Sequence, residues 1–85
     1  YVLKSNYPNP FNPETTIEFS LPQSAEVTLV IYNILGEKVE ILLNSQQSAG
    51  YHKVRWNASN VSSGIYFYRL QAGIFVETRK MMLLK

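Results

Sequence analysis

The fold is decided by an alternating run, Thr15-Thr16-Ile17-Glu18-Phe19-Ser20-Leu21, in which apolar and polar side chains follow one another. Successive side chains of a β-strand point to opposite faces, so this run places one face on a core and the other in water. Turn-forming residues separate it from further strand-length runs, most of them with the same period of two, at residues 26–32, 38–43, 51–56, 64–71 and 75–84. The sequence therefore predicts short strands joined by turns.

No segment has the period of an amphipathic helix, because alternating runs and turn signals recur from Thr15 to the end of the chain. Six or seven short strands in 85 residues are typical of two antiparallel sheets packed face to face. We therefore predict an all-β fold, an antiparallel immunoglobulin-like β-sandwich of about seven strands that occupies residues 15–85. A small closed barrel is the structural alternative.

Upstream of the first alternating run lies a segment that we call the proline run, residues 6–13, Asn6-Tyr7-Pro8-Asn9-Pro10-Phe11-Asn12-Pro13. Proline fixes φ near about −65° and has no backbone donor, so this segment is neither a helix nor a central strand. Asparagine side chains hydrogen-bond the nearby backbone in turns. We predict that residues 1–14 form a stiff, proline-rich loop and linker junction in front of the sandwich, anchored by Tyr7 and Phe11.

Composition limits the class of protein. A chain with 46% hydrophobic and 16% charged residues is globular, and its length allows one domain with a modest core. The formal net charge of +2 is too small to indicate nucleic-acid binding. No apolar stretch approaches the roughly 20 residues of a membrane span. Cysteine is absent, which excludes disulfides and thiolate chemistry.

Residues suited to catalysis or metal binding are scarce. The chain has one histidine, no aspartate and no cysteine, and its six glutamates are scattered among strands and turns. His52 shares an alternating run with Val54 and Trp56, which is typical of a packed strand histidine. The four glycines are isolated turn residues and do not form a phosphate-binding loop. We predict that the chain is not an enzyme and holds no metal or cofactor.

Aromatic residues could form a flat platform for sugars, as they do on many β-sandwiches. The candidates are Tyr32, Tyr51, Trp56, Tyr66 and Tyr68. Trp56 shares a face with Val54, and Tyr68 shares a face with Leu70, so a place in the core is the stronger interpretation for both.

The last run departs from clean alternation, because four apolar residues, Met81-Met82-Leu83-Leu84, stand together before Lys85. A strand of this kind must be covered on both faces or must leave one face available. Two interpretations stay open at this point. The strand is either buried in the sandwich or offered to a partner, by shape or by β-strand addition.

Taken in order, these motifs resemble the C-terminal sorting domains (type A) of proteins exported by the type IX, or Por, secretion system of Bacteroidetes-type bacteria. The matching pieces are the proline run with Thr15-Thr16-Ile17, Tyr32-Asn33 with Leu35-Gly36 and Val39, Ala49-Gly50-Tyr51-His52 with Val54 and Trp56, Ser63-Gly64-Ile65-Tyr66-Phe67-Tyr68-Arg69-Leu70, and the ending Lys80-Met81-Met82-Leu83-Leu84-Lys85. The structural motif falls by position on Asn9, Pro10, Phe11, Asn12, Pro13, Gly36, Gly64, Tyr66, Tyr68 and Arg69.

The resemblance implies a non-catalytic domain that directs a larger passenger protein, located upstream in the same chain, through the periplasm and across the outer membrane to the cell surface or medium. It implies two partners, the type IX secretion machinery and its sortase-like surface protease. By position, it places the sorting signal in the last strand, in a segment that we call the tail, Lys80, Met81, Met82, Leu83, Leu84 and Lys85.

Two alternatives from other functional classes remain. One is an accessory carbohydrate-binding module of a secreted protein, and the other is a structural immunoglobulin-like module resembling that of flagellar hook-capping proteins. The position of the domain discriminates among the three, since a sorting signal must be terminal, whereas a binding or spacer module need not be.

Overall fold

A computed structural model describes residues 1–85 and contains seven antiparallel strands in two sheets. The strands are β1 (Val2–Leu3), β2 (Glu14–Leu21), β3 (Ala25–Asn33), β4 (Lys38–Gln47), β5 (Gly50–Asn57), β6 (Gly64–Ala72) and β7 (Phe75–Leu83). The three-stranded sheet has the order β1-β2-β5, and the four-stranded sheet has the order β4-β3-β6-β7. The structure contains no helical segment capable of spanning a lipid bilayer.

The alternating sequence of each strand sets which face meets the other sheet. In β2, Thr15, Ile17, Phe19 and Leu21 are buried, whereas the residues between them are partly exposed. In β6, Tyr66, Tyr68, Leu70 and Ala72 are buried in the same way. The two apolar faces pack against each other, and this packing confirms the predicted all-β sandwich.

Aromatic rings fill one end of the core. The indole of Trp56 lies 5.8 Å from the ring of Phe11 and 5.6 Å from the ring of Tyr66, measured between ring centroids. Such tilted and edge-on pairs add about 0.5–1.5 kcal/mol each beyond the apolar area that they bury. Phe11 belongs to the proline run, so this run forms part of the core rather than a separate arm.

Hydrogen bonds from polar side chains join the two sheets. The Tyr68 hydroxyl, on β6, donates a hydrogen bond of 2.7 Å to the carbonyl oxygen of Lys4, just after β1. Arg79 Nε, on β7, donates to the carbonyl oxygen of Leu3 at 2.9 Å. At the opposite edges of the sheets, Trp56 Nε1 donates to Glu40 Oε1 at 3.1 Å. These directional bonds fix the orientation of one sheet relative to the other, in addition to the non-directional packing of the core.

Tyr68→Phe tests the bond to Lys4. Burial raises the pKa of the Tyr68 phenol above its ordinary value of 10.0. The neutral phenol therefore stabilises the fold fully below about pH 10, and this contribution is lost as the pH rises through the pKa of the folded protein. We expect the variant to lose about 0.5–1.5 kcal/mol at neutral pH. Urea unfolding at about pH 7 and about pH 11 should show a smaller alkaline loss in the variant than in the wild type. Equal alkaline losses would contradict this assignment.

Three features differ from the sequence expectation. Strand β1 pairs with β2 at only two positions, which is too short to show a period. Strand β4 continues to Gln47 through residues 44–47, which read as a loop. It does so because these residues pair with residues 25–28 of β3 while their side chains face water. Finally, the predicted anchoring role of Tyr7 is wrong, since its side chain is 77% exposed.

The division into residues 1–14 and residues 15–85 stays a prediction. Within residues 1–14, the structure buries the side chains of Leu3, Asn6 and Phe11 and pairs Tyr7 with Thr16 through two backbone hydrogen bonds. This segment therefore packs on the sandwich along much of its length.

Candidate functional site

The tail splits into an inward and an outward set of side chains. Strand β7 lies at the edge of the four-stranded sheet, and β6 is its only neighbouring strand. Met81 and Leu83 are buried, with 1% and 0% of their surface exposed, and their neighbours Lys80, Met82 and Leu84 are exposed. The structure thus combines the two interpretations of the apolar ending. One face of the strand is buried in the sandwich, and the other face is exposed and available.

The proline run covers the outer edge of the tail. Phe11 N–H donates to the carbonyl oxygen of Met82, and Leu84 N–H donates to the carbonyl oxygen of Phe11, both at 3.0 Å. The Met82 N–H donates to the side-chain oxygen Oδ1 of Asn9, also at 3.0 Å. An edge strand leaves every second residue's backbone groups unpaired, and the run provides partners for those of Met82 and Leu84. Sequence reasoning missed this contact, which joins residues 73 positions apart.

A small buried network holds the proline run in shape. Asn6 Nδ2 donates to Thr15 Oγ1 at 3.0 Å and to the carbonyl oxygen of Pro8 at 3.2 Å. Thr15 Oγ1 donates to the same carbonyl oxygen at 2.9 Å. Since proline residues donate no backbone hydrogen bonds, side chains supply the bonds that fix this turn. The predicted local bonding of asparagine is confirmed at Asn6.

The end of the tail is tied to the loop between β5 and β6. The backbone N–H of Lys85 donates to Ser63 Oγ at 2.9 Å, and its ammonium group donates to the carbonyl oxygen of Ser59 at 2.8 Å. On the other side of the proline run, Ala58 N–H donates to the carbonyl oxygen of Pro13 at 2.9 Å. The tail, the proline run and this loop therefore meet at one end of the sandwich.

Asn9→Ala tests whether the proline run secures the tail. We expect the backbone amide of Met82 to exchange with solvent about fivefold faster, because a hydrogen bond worth roughly 1 kcal/mol is removed. The amide of Leu84 should change less, since its acceptor, the Phe11 carbonyl, is retained. Asn12→Ala is the matched control, because the exposed Asn12 side chain makes no hydrogen bond. Hydrogen exchange read by NMR measures both amides, and unchanged protection of Met82 would contradict the assignment.

The other residues of the structural motif occupy three kinds of position. Gly36 has a positive φ of 83° in the turn between β3 and β4, where a residue with a side chain would be strained. Gly64 lies opposite Leu83 and Tyr66 lies opposite Met81, so β6 supports the inward side of the tail. Arg69 is exposed on the outward side of β6. The structure brings Gly64, Tyr66 and the proline run to the tail. It places Tyr68 and Arg69 farther along β6, opposite Arg79 and Thr78, and Gly36 in a separate turn.

The aromatic residues do not form a shared sugar platform. Trp56, Tyr66 and Tyr68 are buried. Tyr32 is half-buried on the four-stranded sheet, and the exposed Tyr51 lies on the three-stranded sheet beside Lys4. The core placement expected for Trp56 and Tyr68 is confirmed.

The polar residues make no arrangement typical of a catalytic or metal site. The imidazole of His52 stacks on Phe19, with 5.1 Å between ring centroids, and one ring nitrogen lies 2.7 Å from the carbonyl oxygen of Ser48. No group of three or more histidine, cysteine, aspartate or glutamate side chains lies close enough to hold a metal ion.

Comparison with known proteins agrees with this description. The family described as secretion system C-terminal sorting domain matches residues 5–84. No curated protein sequence matches the chain. Among solved structures, the fold is similar to part of PorZ, described as an essential bacterial surface component of the type-IX secretion system of Porphyromonas gingivalis. The two share 22% identity with a TM-score of 0.64, over 95% of this chain and 11% of PorZ.

Proposed function

The chain belongs to the family of secretion system C-terminal sorting domains of the type IX, or Por, pathway, and from this premise we propose that it directs a passenger protein in the same polypeptide across the outer membrane. The destination that we propose is the cell surface or the medium, reached through the periplasm. The observation that carries the proposal is the family match over residues 5–84, which is nearly the whole chain.

Within this role, we propose that the tail is the part of the domain that the secretion machinery meets. The exposed side chains of Lys80, Met82 and Leu84 are available on a strand whose inward residues are fixed in the core. A rigid strand that presents alternate side chains loses little conformational entropy when it binds, which favours recognition. A sortase-like surface protease is the second partner that we propose, acting after export.

We propose no catalytic activity for the chain itself, and no cofactor or nucleic acid as a partner. No observation favours the carbohydrate-binding alternative, since three of its five candidate aromatic residues are buried. A structural spacer domain would have the same fold as a sorting domain. The two functions differ in that only a sorting domain directs export.

Export of a reporter tests the proposal. A periplasm-targeted fluorescent protein is fused upstream of Tyr1 and expressed in a bacterium that has a type IX machinery and in a matched strain that lacks it. We expect surface fluorescence only when both the domain and the machinery are present. A reporter without the domain is the control. Periplasmic retention of the fusion in both strains would refute the proposed export function. Export in both strains would show that the domain does not depend on the type IX machinery.

A further inference from the structure

The outward side of the four-stranded sheet, which we call the outer face, carries a row of side chains that crosses all four strands. Strand pairing places Lys38 opposite Tyr32, Tyr32 opposite Phe67, and Phe67 opposite Lys80. Two half-buried aromatic rings thus lie between two exposed ammonium groups. The backbones of Lys38 and Lys80 are roughly 14 Å apart, because neighbouring strands are about 4.8 Å apart. Arg69 stands beside this row on β6.

The positive groups of the outer face have no partners within the molecule. The chain has eight basic residues. Five of them are engaged in ion pairs, hydrogen bonds or a contact with an aromatic ring: Lys4, Lys53, Arg55, Arg79 and Lys85. The three that make no ion pair and no side-chain hydrogen bond are Lys38, Arg69 and Lys80, and all three lie exposed on the outer face. The free basic groups of this protein are therefore concentrated on one surface.

Acidic groups compensate this charge only in part. Glu14, Glu18 and Glu77 pair with basic residues, whereas Glu37 and Glu40 accept hydrogen bonds from the neutral side chains of Asn33 and Trp56 and keep their negative charge. The remaining acid, Glu26, lies six residues from Tyr32 along β3, which corresponds to roughly 20 Å. Near the aromatic row the exposed basic groups Lys38, Arg69 and Lys80 outnumber the acidic group Glu37, so the local charge is positive.

Apolar surface lies among these charges. On the outer face, Met82 is 37% exposed. A depression of about 280 Å³ is lined in part by Tyr32, Phe67 and Arg69. A second depression, of about 240 Å³, lies between Pro10 of the proline run and Ile65, Lys80 and Met82. Each depression combines an apolar floor with a basic rim.

We propose that the outer face binds an acidic protein segment, whose carboxylates meet Lys38, Arg69 and Lys80 and whose apolar side chains enter the two depressions. Charge complementarity selects an acidic partner and disfavours a basic one. The inference rests on the proposed function, because the export machinery would present this segment. It adds a binding surface that extends beyond the tail to β3, β4 and β6, and it adds that the partner is acidic.

A protein segment fits this surface better than a glycan does. Sugar hydroxyls donate hydrogen bonds as well as accept them, and the aromatic row offers no carboxylate to accept from them. The amide oxygens of the asparagines at its rim are already engaged, Asn9 with the N–H of Met82 and Asn33 with the N–H groups of Leu35 and Glu37. Exposed Met82 and half-buried Ile65 also suit aliphatic or aromatic side chains.

A binding measurement tests the chemistry. The probe is a short synthetic peptide in which glutamate alternates with leucine and phenylalanine, titrated into the labelled chain and followed by NMR. We expect shifts of the amides of Phe67, Arg69 and Lys80, and about tenfold weaker binding for the peptide with glutamine in place of glutamate. Equal binding of the glutamine peptide would overturn the proposal. Tighter binding of polygalacturonate at the same residues would overturn it in favour of a glycan.

A second measurement tests the surface in cells and leaves the tail intact. The double variant Lys38→Ala/Arg69→Ala is compared with Lys53→Ala/Arg55→Ala, which removes the same charge from the three-stranded sheet. In the reporter fusion we expect the first variant to lower surface fluorescence about tenfold or more and the second to leave it unchanged. Export of both variants at the wild-type level would overturn this inference. That outcome leaves the proposed function in place, because the reporter still reaches the surface.

Discussion

Phe11→Ala is expected to lower the free energy of unfolding by about 3–5 kcal/mol, because it removes a buried ring from the core. The Phe11 side chain is 2% exposed and contacts the indole of Trp56. A domain of 85 residues has a stability of roughly 4–13 kcal/mol in total, so this loss is a large fraction of it. Urea denaturation followed by tryptophan fluorescence measures the change.

The control for Phe11→Ala comes from the same proline run. Tyr7 is also aromatic, but its side chain is 77% exposed, so Tyr7→Ala should change the stability by no more than about 0.5 kcal/mol. If the two variants lost similar stability, or if Phe11→Ala lost less than about 1 kcal/mol, the run would not be part of the core as described.

Leu83→Ala is expected to cost about 2–5 kcal/mol, whereas Leu84→Ala should cost well under 1 kcal/mol. The two leucines are neighbours in the tail, but Leu83 is fully buried and Leu84 is 52% exposed. Thermal and urea unfolding of the two variants measure the difference. A similar loss in both would contradict the split of the tail into inward and outward residues.

This split changes how export experiments on the tail must be designed. Removal of residues 80–85 eliminates the buried Met81 and Leu83 together with the exposed residues. Such a truncation weakens the fold and removes the proposed signal at the same time, so loss of export after truncation has two explanations. Substitutions of Met82 and Leu84 separate them, because these side chains contribute little to the core.

The strands and the main core residues could be predicted from the sequence because period-two alternation is a local signal. The run from Thr15 to Leu21, for example, shows directly that Ile17 and Phe19 face inward. Strand β1 and the end of β4 could not be predicted in this way, since one is two residues long and the other is polar. Both exist because of pairing with distant residues.

The arrangement of the site was less predictable for the same physical reason. Tyr7 and Phe11 stand in a segment without repeating structure, so no period distinguishes the exposed ring from the buried one. The hydrogen bond between Asn9 and Met82 joins the two ends of the chain, and no local sequence pattern near either residue predicts it. The row from Lys38 to Lys80 depends on the register of four strands. The only local sign of this row in the sequence is that β6 has apolar residues, among them Phe67, on both of its faces.

Surface display of the reporter fused to Met82→Ser/Leu84→Ser tests most directly whether the exposed side chains of the tail form the sorting signal. Thermal unfolding must first show that the variant domain remains folded, with Met81 and Leu83 still in the core. The account predicts that this folded variant leaves the reporter in the periplasm, while the wild-type fusion reaches the surface. Export of the variant at the wild-type level would contradict it.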